Sequence, residues 1–273
     1  MKFSFIKPQQ LLVPYINSFW VFESSFGVPV NDTRLIVPNG SARIIIPYKN
    51  ELSVSVDNKA VTSKEYDIFL TGIWDRATTI SSFAKETGTI GIDLSPKGLY
   101  RLFDLNMEEL SNRIYSFEDL FGIWGKRMQY ELGNIENVFQ KISFLENALI
   151  YLLNKNTKDC TFLDYALDSI LTSEGLLEIK SLAEETGYSK RHLNMQFKRY
   201  VGIAPKTLAS IVRFQKFYKQ WAKTGSETFF KEDLYAYYFD QSHFIKEFKR
   251  FTGYTPQKYT EITAEFSRAF HGQ

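Results

Sequence analysis

The apolar positions of this chain change period along its length. From about Tyr15 to Leu94 they come in short runs. Leu52-Ser53-Val54-Ser55-Val56 alternates with a period of two, the mark of a strand with one buried face. Arg43-Ile44-Ile45-Ile46 and Ile68-Phe69-Leu70 are short apolar runs, and Pro38-Asn39-Gly40 and Thr87-Gly88 read as turns between strands. Many short strands with turn signals predict a sandwich or barrel. From Ser95 the period lengthens to that of a helix. Pro96 and Gly98 precede Leu99-Tyr100-Arg101-Leu102-Phe103, and Phe117-Glu118-Asp119-Leu120-Phe121 is helical. Between Ile135 and Asn154 a stripe runs through Ile135, Val138, Phe139, Ile142, Leu145, Leu149 and Leu152. Thr161 to Leu171 is a further helix, reached through the polar connection Asn154 to Asp159. Ser173-Glu174-Gly175 reads as a domain boundary.

Beyond that boundary the chain repeats itself. Phe197-Lys198-Arg199-Tyr200-Val201-Gly202-Ile203-Ala204-Pro205 returns as Phe248-Lys249-Arg250-Phe251-Thr252-Gly253-Tyr254-Thr255-Pro256, 51 positions later. A repeat of basic, aromatic and turn residues marks one supersecondary unit used twice. Two basic units at fixed separation suit a partner that is itself periodic and negatively charged, as duplex DNA is.

Each position in the first copy has a physical role in a helix-turn-helix. Ala183 is small where two helices cross. Gly187 supplies the positive φ of a tight turn. Ser189 caps the second helix through its hydroxyl. Leu193 and Phe197, four apart, form that helix's buried face, which leaves Lys190, Arg191, Asn194 and Met195 on the other. Gly202 and Pro205 end one helix and start the next. In the second copy Asp240 takes the place of Ser189, His243 that of His192, Phe244 that of Leu193 and Phe248 that of Phe197. Gln241, Ser242, Ile245 and Lys246 fall on or near its outer side. Between the copies, Lys206 to Lys223 reads as one helix with Leu208, Ile211, Val212, Phe217, Tyr218 and Trp221 inward. About 17 residues at ~1.5 Å each span roughly 25 Å, so with the helix radii added the two second helices would sit about one DNA turn, ~34 Å, apart.

Charge follows the same division. From Gly175 to Gln273 there are 16 Lys and Arg against 10 Asp and Glu, a net of +6, whereas the remainder carries 17 against 21, a net of −4. A basic C-terminal third behind a mildly acidic body is the footprint of a nucleic-acid-binding module. The 273 residues suffice for two domains of about 150 residues or fewer. Cys160 is the single cysteine, which excludes an internal disulfide and a cysteine-based metal cluster. All three histidines, His192, His243 and His271, lie C-terminal to the β-rich part, so a metal-bearing N-terminal barrel lacks its imidazole ligands. His192 and His243 adjoin core positions on different helices and read as structural or phosphate-contacting rather than as a metal pair. No nucleophile–base pair, acid–base pair or phosphate-cradling glycine loop emerges, so no enzyme is expected and no cofactor implied. No run of ~18 apolar residues appears and Met1 to Gln10 lacks a signal-peptide core, which predicts a cytoplasmic protein without a membrane partner.

The residues from about Gly175 to Thr263 resemble the DNA-binding domain of the AraC/XylS family of transcription regulators. The motif Ala183-x-x-x-Gly187-Tyr188-Ser189-x-x-x-Leu193-x-x-x-Phe197-Lys198, then Gly202-x-x-Pro205, carries the resemblance. So does Asp240-Gln241-Ser242-His243-Phe244-x-x-x-Phe248-Lys249, then Gly253-x-x-Pro256-x-x-Tyr259. Phe19-Trp20, Val37-Pro38-Asn39-Gly40, Leu70-Thr71-Gly72 and Ile90-Gly91-Ile92-Asp93-Leu94-Ser95-Pro96-x-Gly98 are similar to the companion domain of such proteins, a sensing or dimerisation module. The resemblance implies an α+β chain of two domains. Residues 1–172 would be an N-terminal β-sandwich or barrel with following helices, and 175–265 a C-terminal all-α domain of two helix-turn-helix units joined by a long helix. It implies duplex DNA as partner, contact with RNA polymerase as an activator would make it, and control by a small-molecule effector or by homodimerisation.

Carried over residue by residue, the family pattern makes Arg191, Asn194 and Met195 base-facing in the first unit, Arg suiting guanine, Asn adenine and Met the thymine methyl. Gln241, Ser242 and Lys246 are their counterparts in the second. Lys190, Lys198, Arg199, Lys249 and Arg250 are assigned to phosphates, which set affinity and register while base contacts set sequence preference. One stretch departs from the family. Glu232 to Phe239 stands where the second unit's Ala and Gly belong, and its turn falls on Tyr237 or Tyr238, neither suited to positive φ. The first unit is therefore expected to do most of the base reading. The competing reading is a degenerate regulator that works through protein contacts without specific DNA binding.

Overall fold

The computed structural model describes residues 2–25, 35–56, 59–82, 84–156, 160–224 and 237–261. The N-terminal part is β-rich and all the remainder helical. Ten strands form it: β1 (Lys2–Ile6), β2 (Ile16–Ser24), β3 (Leu35–Ile36), β4 (Ala42–Lys49), β5 (Leu52–Val56), β6 (Lys59–Ser63), β7 (Phe69–Thr71), β8 (Thr78–Ser81), β9 (Thr87–Leu94) and β10 (Ile114–Ser116). They make a six-stranded sheet in the order β1-β2-β9-β4-β7-β10 and a four-stranded sheet β3-β8-β5-β6, antiparallel throughout.

Alternation explains why the strands read as apolar on both sides. In β2, Trp20 and Phe22 join Ile45, Ile36, Leu52, Val54 and Ile80 in the core between the sheets. Phe19 and Val21, with Ile44, Ile46, Ile90 and Ile92, belong instead to the larger core shared with the helices. The six-stranded sheet is buried on both faces, so its central strands need few polar positions. The inter-sheet space is closely filled and leaves a cavity of about 30 Å³, room for one or two waters. Inside it Arg43 Nε is 2.9 Å from Asp93 Oδ1, and the indole N–H of Trp20 donates to the same oxygen at 3.2 Å. Asp93 is thus the buried anchor of an ion pair.

Thr87-Gly88 is not a turn. Both residues lie in β9, where Thr87 faces Ser24 and Gly88 faces Glu23. Glycine is needed there because the Tyr48 ring comes within 2.7 Å of where a Cβ would sit.

The helices are α1 (Pro96–Leu102), α2 (Met107–Leu110), α3 (Phe117–Phe121), α4 (Ile123–Asn134), α5 (Val138–Lys155), α6 (Thr161–Thr172), α7 (Ile179–Glu185), α8 (Lys190–Val201), α9 (Pro205–Thr224), α10 (Gln241–Thr252) and α11 (Pro256–Glu261). Ser95 caps α1, its hydroxyl accepting from the Gly98 N–H at 3.1 Å, as Ser-Pro at a helix start predicts. Cys160 is a buried free thiol at the start of α6. Between α6 and α7 the backbone reverses through Glu174 (φ 53°) and Gly175 (φ 76°).

One apolar core continues from the β-rich part into the last helices, joining Ile44, Leu99, Tyr100 and Met107 to Leu193, Phe197, Leu208 and Phe214. Its basis is side-chain detail: the Tyr100 and Tyr200 rings meet edge-on at 6.1 Å, and Gln215 donates to the Pro38 carbonyl.

Candidate nucleic-acid interface

The first helix-turn-helix is α7, the turn Thr186–Ser189 and α8. Leu182 and Ala183 are buried where α7 meets α8. Gly187 takes φ 71°, and Ser189 Oγ accepts from the His192 N–H at 3.2 Å. Along α8, Leu193, Phe197 and Val201 are fully buried. Lys190, Arg191, Met195 and Arg199 are exposed, and Asn194 and Lys198 half-buried. The Tyr188 ring stacks on His192 at 4.6 Å and on Phe162 of α6 at 4.9 Å, a contact the sequence pattern gave no sign of.

The second unit ends in α10. Asp240 Oδ1 accepts from the His243 N–H at 2.7 Å, the role Ser189 plays 51 positions earlier. Phe244, Phe248 and Phe251 are buried, while Gln241, Ser242, Lys246, Lys249 and Arg250 are exposed. Glycines at φ 91° (Gly202) and φ 81° (Gly253) close α8 and α10, followed in each copy by a proline that opens the next helix. Residues 232–236 of the unusual turn, and the side chain of Trp221, lie outside the described residues. Tyr237 and Tyr238 do not adopt positive φ; among the described residues the non-glycines that do are Asn50, Tyr66, Asn112 and Glu174. Tyr238 is buried instead, against Phe217 at 6.3 Å and Phe244 at 5.1 Å. Burial pushes its hydroxyl pKa far above the usual tyrosine value, the Glu247 charge adding to the rise and Arg213 opposing it.

Two of the cations assigned to phosphate have partners within the chain. Lys198 Nζ is 2.9 Å from Glu108 Oε1 in α2, and Arg250 Nη2 is 2.8 Å from Asp75 Oδ2. Asp75 also takes Arg76 Nε at 3.2 Å. Burial would raise the Asp75 carboxyl, but the hydrogen bonds from Arg250 and Arg76 outweigh it and hold the group below the usual aspartate value. An open cleft of about 530 Å³ lies there, between Asp75, Arg76 and Ala77 on one side and Arg250, Gly253 and Tyr254 on the other. Among the described residues no group of three His, Cys, Asp or Glu side chains gathers in a way that would hold a metal, and no helix is long and apolar enough to cross a membrane.

The geometry is that of two helix-turn-helix units sharing the linking helix α9, and residues 182–262 match the family model described as a helix-turn-helix domain. The chain carries an AraC-family helix-turn-helix domain. The AraC-family domain is preceded by residues 4–116, which match a family model described only as a domain of unknown function. Among solved structures, ToxT from Vibrio cholerae is 14% identical, with 89% of this chain and 97% of that chain covered and a TM-score of 0.48. The AraC-like transcriptional activator CuxR is 17% identical, with 75% of this chain and 74% of that chain covered and a TM-score of 0.26. No curated protein matches the chain.

Proposed function

We propose that this AraC-family regulator binds duplex DNA at a specific sequence, laying α8 and α10 into two successive major-groove segments on one face. One observation carries the proposal. Both helices bury a complete apolar stripe while the residues assigned to base edges stand outward, Arg191, Met195, Gln241, Ser242 and Lys246 exposed and Asn194 half-buried. Lys190, Lys198, Arg199, Lys249 and Arg250 grip phosphates on either side of these segments. The N-terminal domain supplies the input, an effector or a second copy of the chain, and contact with RNA polymerase turns binding into activation. The input has a material route, since Glu108, Asp75 and the Pro38 carbonyl all touch the helix-turn-helix domain.

Fluorescence anisotropy with the DNA upstream of the chain's own gene tests this. Specific binding is expected to weaken steeply with salt, by about 0.9 in log K per log salt for each phosphate contact. Binding indifferent to sequence, or none, rejects the proposal in favour of a regulator that works through protein contacts.

A further inference from the structure

The 51-residue correspondence reaches further back in the structure than in the sequence. Phe162 on α6 lies 51 positions before Arg213 on α9, just as His192 lies 51 before His243 and Gln196 lies 51 before Glu247. Each of these pairs occupies matching places in the two units. In the first, Phe162 touches Tyr188 of the turn, Tyr188 stacks on His192, and Gln196 lies 3.3 Å from His192. In the second, Arg213 stands where Phe162 stood. Its guanidinium carbon is 5.0 Å from the centre of the Tyr238 ring, and Tyr238 meets His243 edge-on at 5.6 Å. His243 Nε2 is 3.8 Å from Glu247 Oε1.

The chemistry of the two contacts differs. An aromatic stack tolerates sliding. Arg213 Nη2, by contrast, lies 2.9 and 2.8 Å from the two carboxylate oxygens of Glu247, with side-chain exposures of 16% and 11%. Arg213 Nε is buried without a hydrogen bond, so the printed hydrogen bonds of this guanidinium all go to α10. A buried charge pair of this kind loses heavily when one partner is removed and so defines a single arrangement. Glu247 sits next to Lys246 and one turn past His243 on the helix that carries Gln241 and Ser242. Fixing Glu247 therefore fixes the rotation of α10 about its own axis.

From this we infer that Arg213 and Glu247 are the positioning pair of the second unit, setting which side chains of α10 reach base edges and hence the sequence preference of the second DNA segment. The pair does for a turn without glycine what Phe162, Tyr188 and His192 do for the first unit. The inference rests on the proposed reading that α10 enters a groove.

The test uses the full chain and a duplex enriched by it from a random-sequence pool. The segment facing α10 is located by cleavage from an iron chelate tethered through S242C. Competition by duplexes altered in one segment at a time then measures discrimination at each. R213M is expected to lower discrimination at the α10 segment on the order of tenfold and to leave that at the α8 segment within about twofold. The charge swap R213E/E247R is expected to restore it. Should R213M not fold, as thermal unfolding would show, E247Q gives the same comparison, since it removes the charge and keeps the shape. Undiminished discrimination at the α10 segment, equal loss at both segments, or a swap that restores nothing overturns the assignment. A wild-type chain blind to the α10 segment overturns the proposed function, and the assignment with it.

Discussion

Arg250, near the end of α10, donates to Asp75 at 2.8 Å across 175 residues of sequence. It is matched by Lys198 on α8, which reaches Glu108 at 2.9 Å. Each helix-turn-helix unit thus has one cation held by an acid of the preceding part of the chain. A cation so engaged has to leave its carboxylate before it can neutralise a phosphate. D75N combined with E108Q removes both competitors and keeps the shape of the side chains. DNA affinity is expected to rise several-fold at low salt, and the salt dependence to steepen by about one phosphate contact for each cation released. Affinity that is unchanged or lower in the double variant would show that the two acids help to build the binding surface rather than compete for it.

The Asp75 carboxyl also gives a pH dependence whose sign is fixed. Its pKa is held below the usual value in the folded chain, so its contribution to stability is fully present above that usual value, near pH 4. It is lost as pH falls through the depressed pKa. Arg250 is 44% exposed, which limits the contribution to about 0.5 kcal/mol. Thermal unfolding of wild type and D75N should therefore differ slightly at about pH 6 and converge near pH 3. A difference that persists unchanged at the acid end would assign it to packing instead.

The first unit was fully legible in the sequence because every constraint in it is local. The alanine, the glycine, the capping serine and the leucine–phenylalanine stripe each act within a few residues, and all appear where their chemistry requires. The second unit hid its solution. Tyr238 is buried by residues more than twenty positions away on α9, and Arg213 and Phe162 share no residue type that would have extended the repeat. Helix α4 was missed because its stripe is sparse: Gly125, Met128 and Leu132 are buried, whereas Ile123 and Tyr130 are 87% and 71% exposed. Strand β10 is three residues long and pairs with β7 across more than forty positions, too short for a period. The engagement of Lys198 and Arg250 was illegible for a related reason. A surface charge carries no mark of whether its partner is a phosphate or an acid folded back against it.

Arg191 offers the sharpest division between base reading and phosphate grip, because Lys190 beside it is equally exposed and equally basic. R191A is expected to cost roughly 1–3 kcal/mol on the preferred sequence and to relax preference at one base pair. K190A is expected to weaken all sequences alike and to lower the salt slope by about one. Binding constants for the preferred duplex and its single-base variants decide. If R191A keeps the wild-type order of preference, Arg191 is a phosphate contact and the base reading of α8 falls to Asn194 and Met195.

Gly202 and Gly253 permit a controlled measurement of how the helix-turn-helix domain packs on the body. They are 51 positions apart, end equivalent helices, and adopt nearly the same backbone, φ 91° and φ 81°. An alanine at Gly253 meets nothing within 4 Å, whereas one at Gly202 would bring its Cβ within 2.6 Å of the Met107 carbonyl oxygen. G253A therefore carries only the cost of a left-handed alanine, about 1–2 kcal/mol. G202A carries that cost and also forces α8 away from α2, for a total on the order of 2–4 kcal/mol. The excess measures the contact between the two parts of the chain. Displacement of α8 should also break Lys198 from Glu108, so G202A is expected to show a steeper salt dependence of DNA binding than G253A. Denaturant unfolding and anisotropy on the same two proteins check both halves. Equal destabilisation of the two variants would mean that Met107 yields freely, and that α8 is not held by the body at this point.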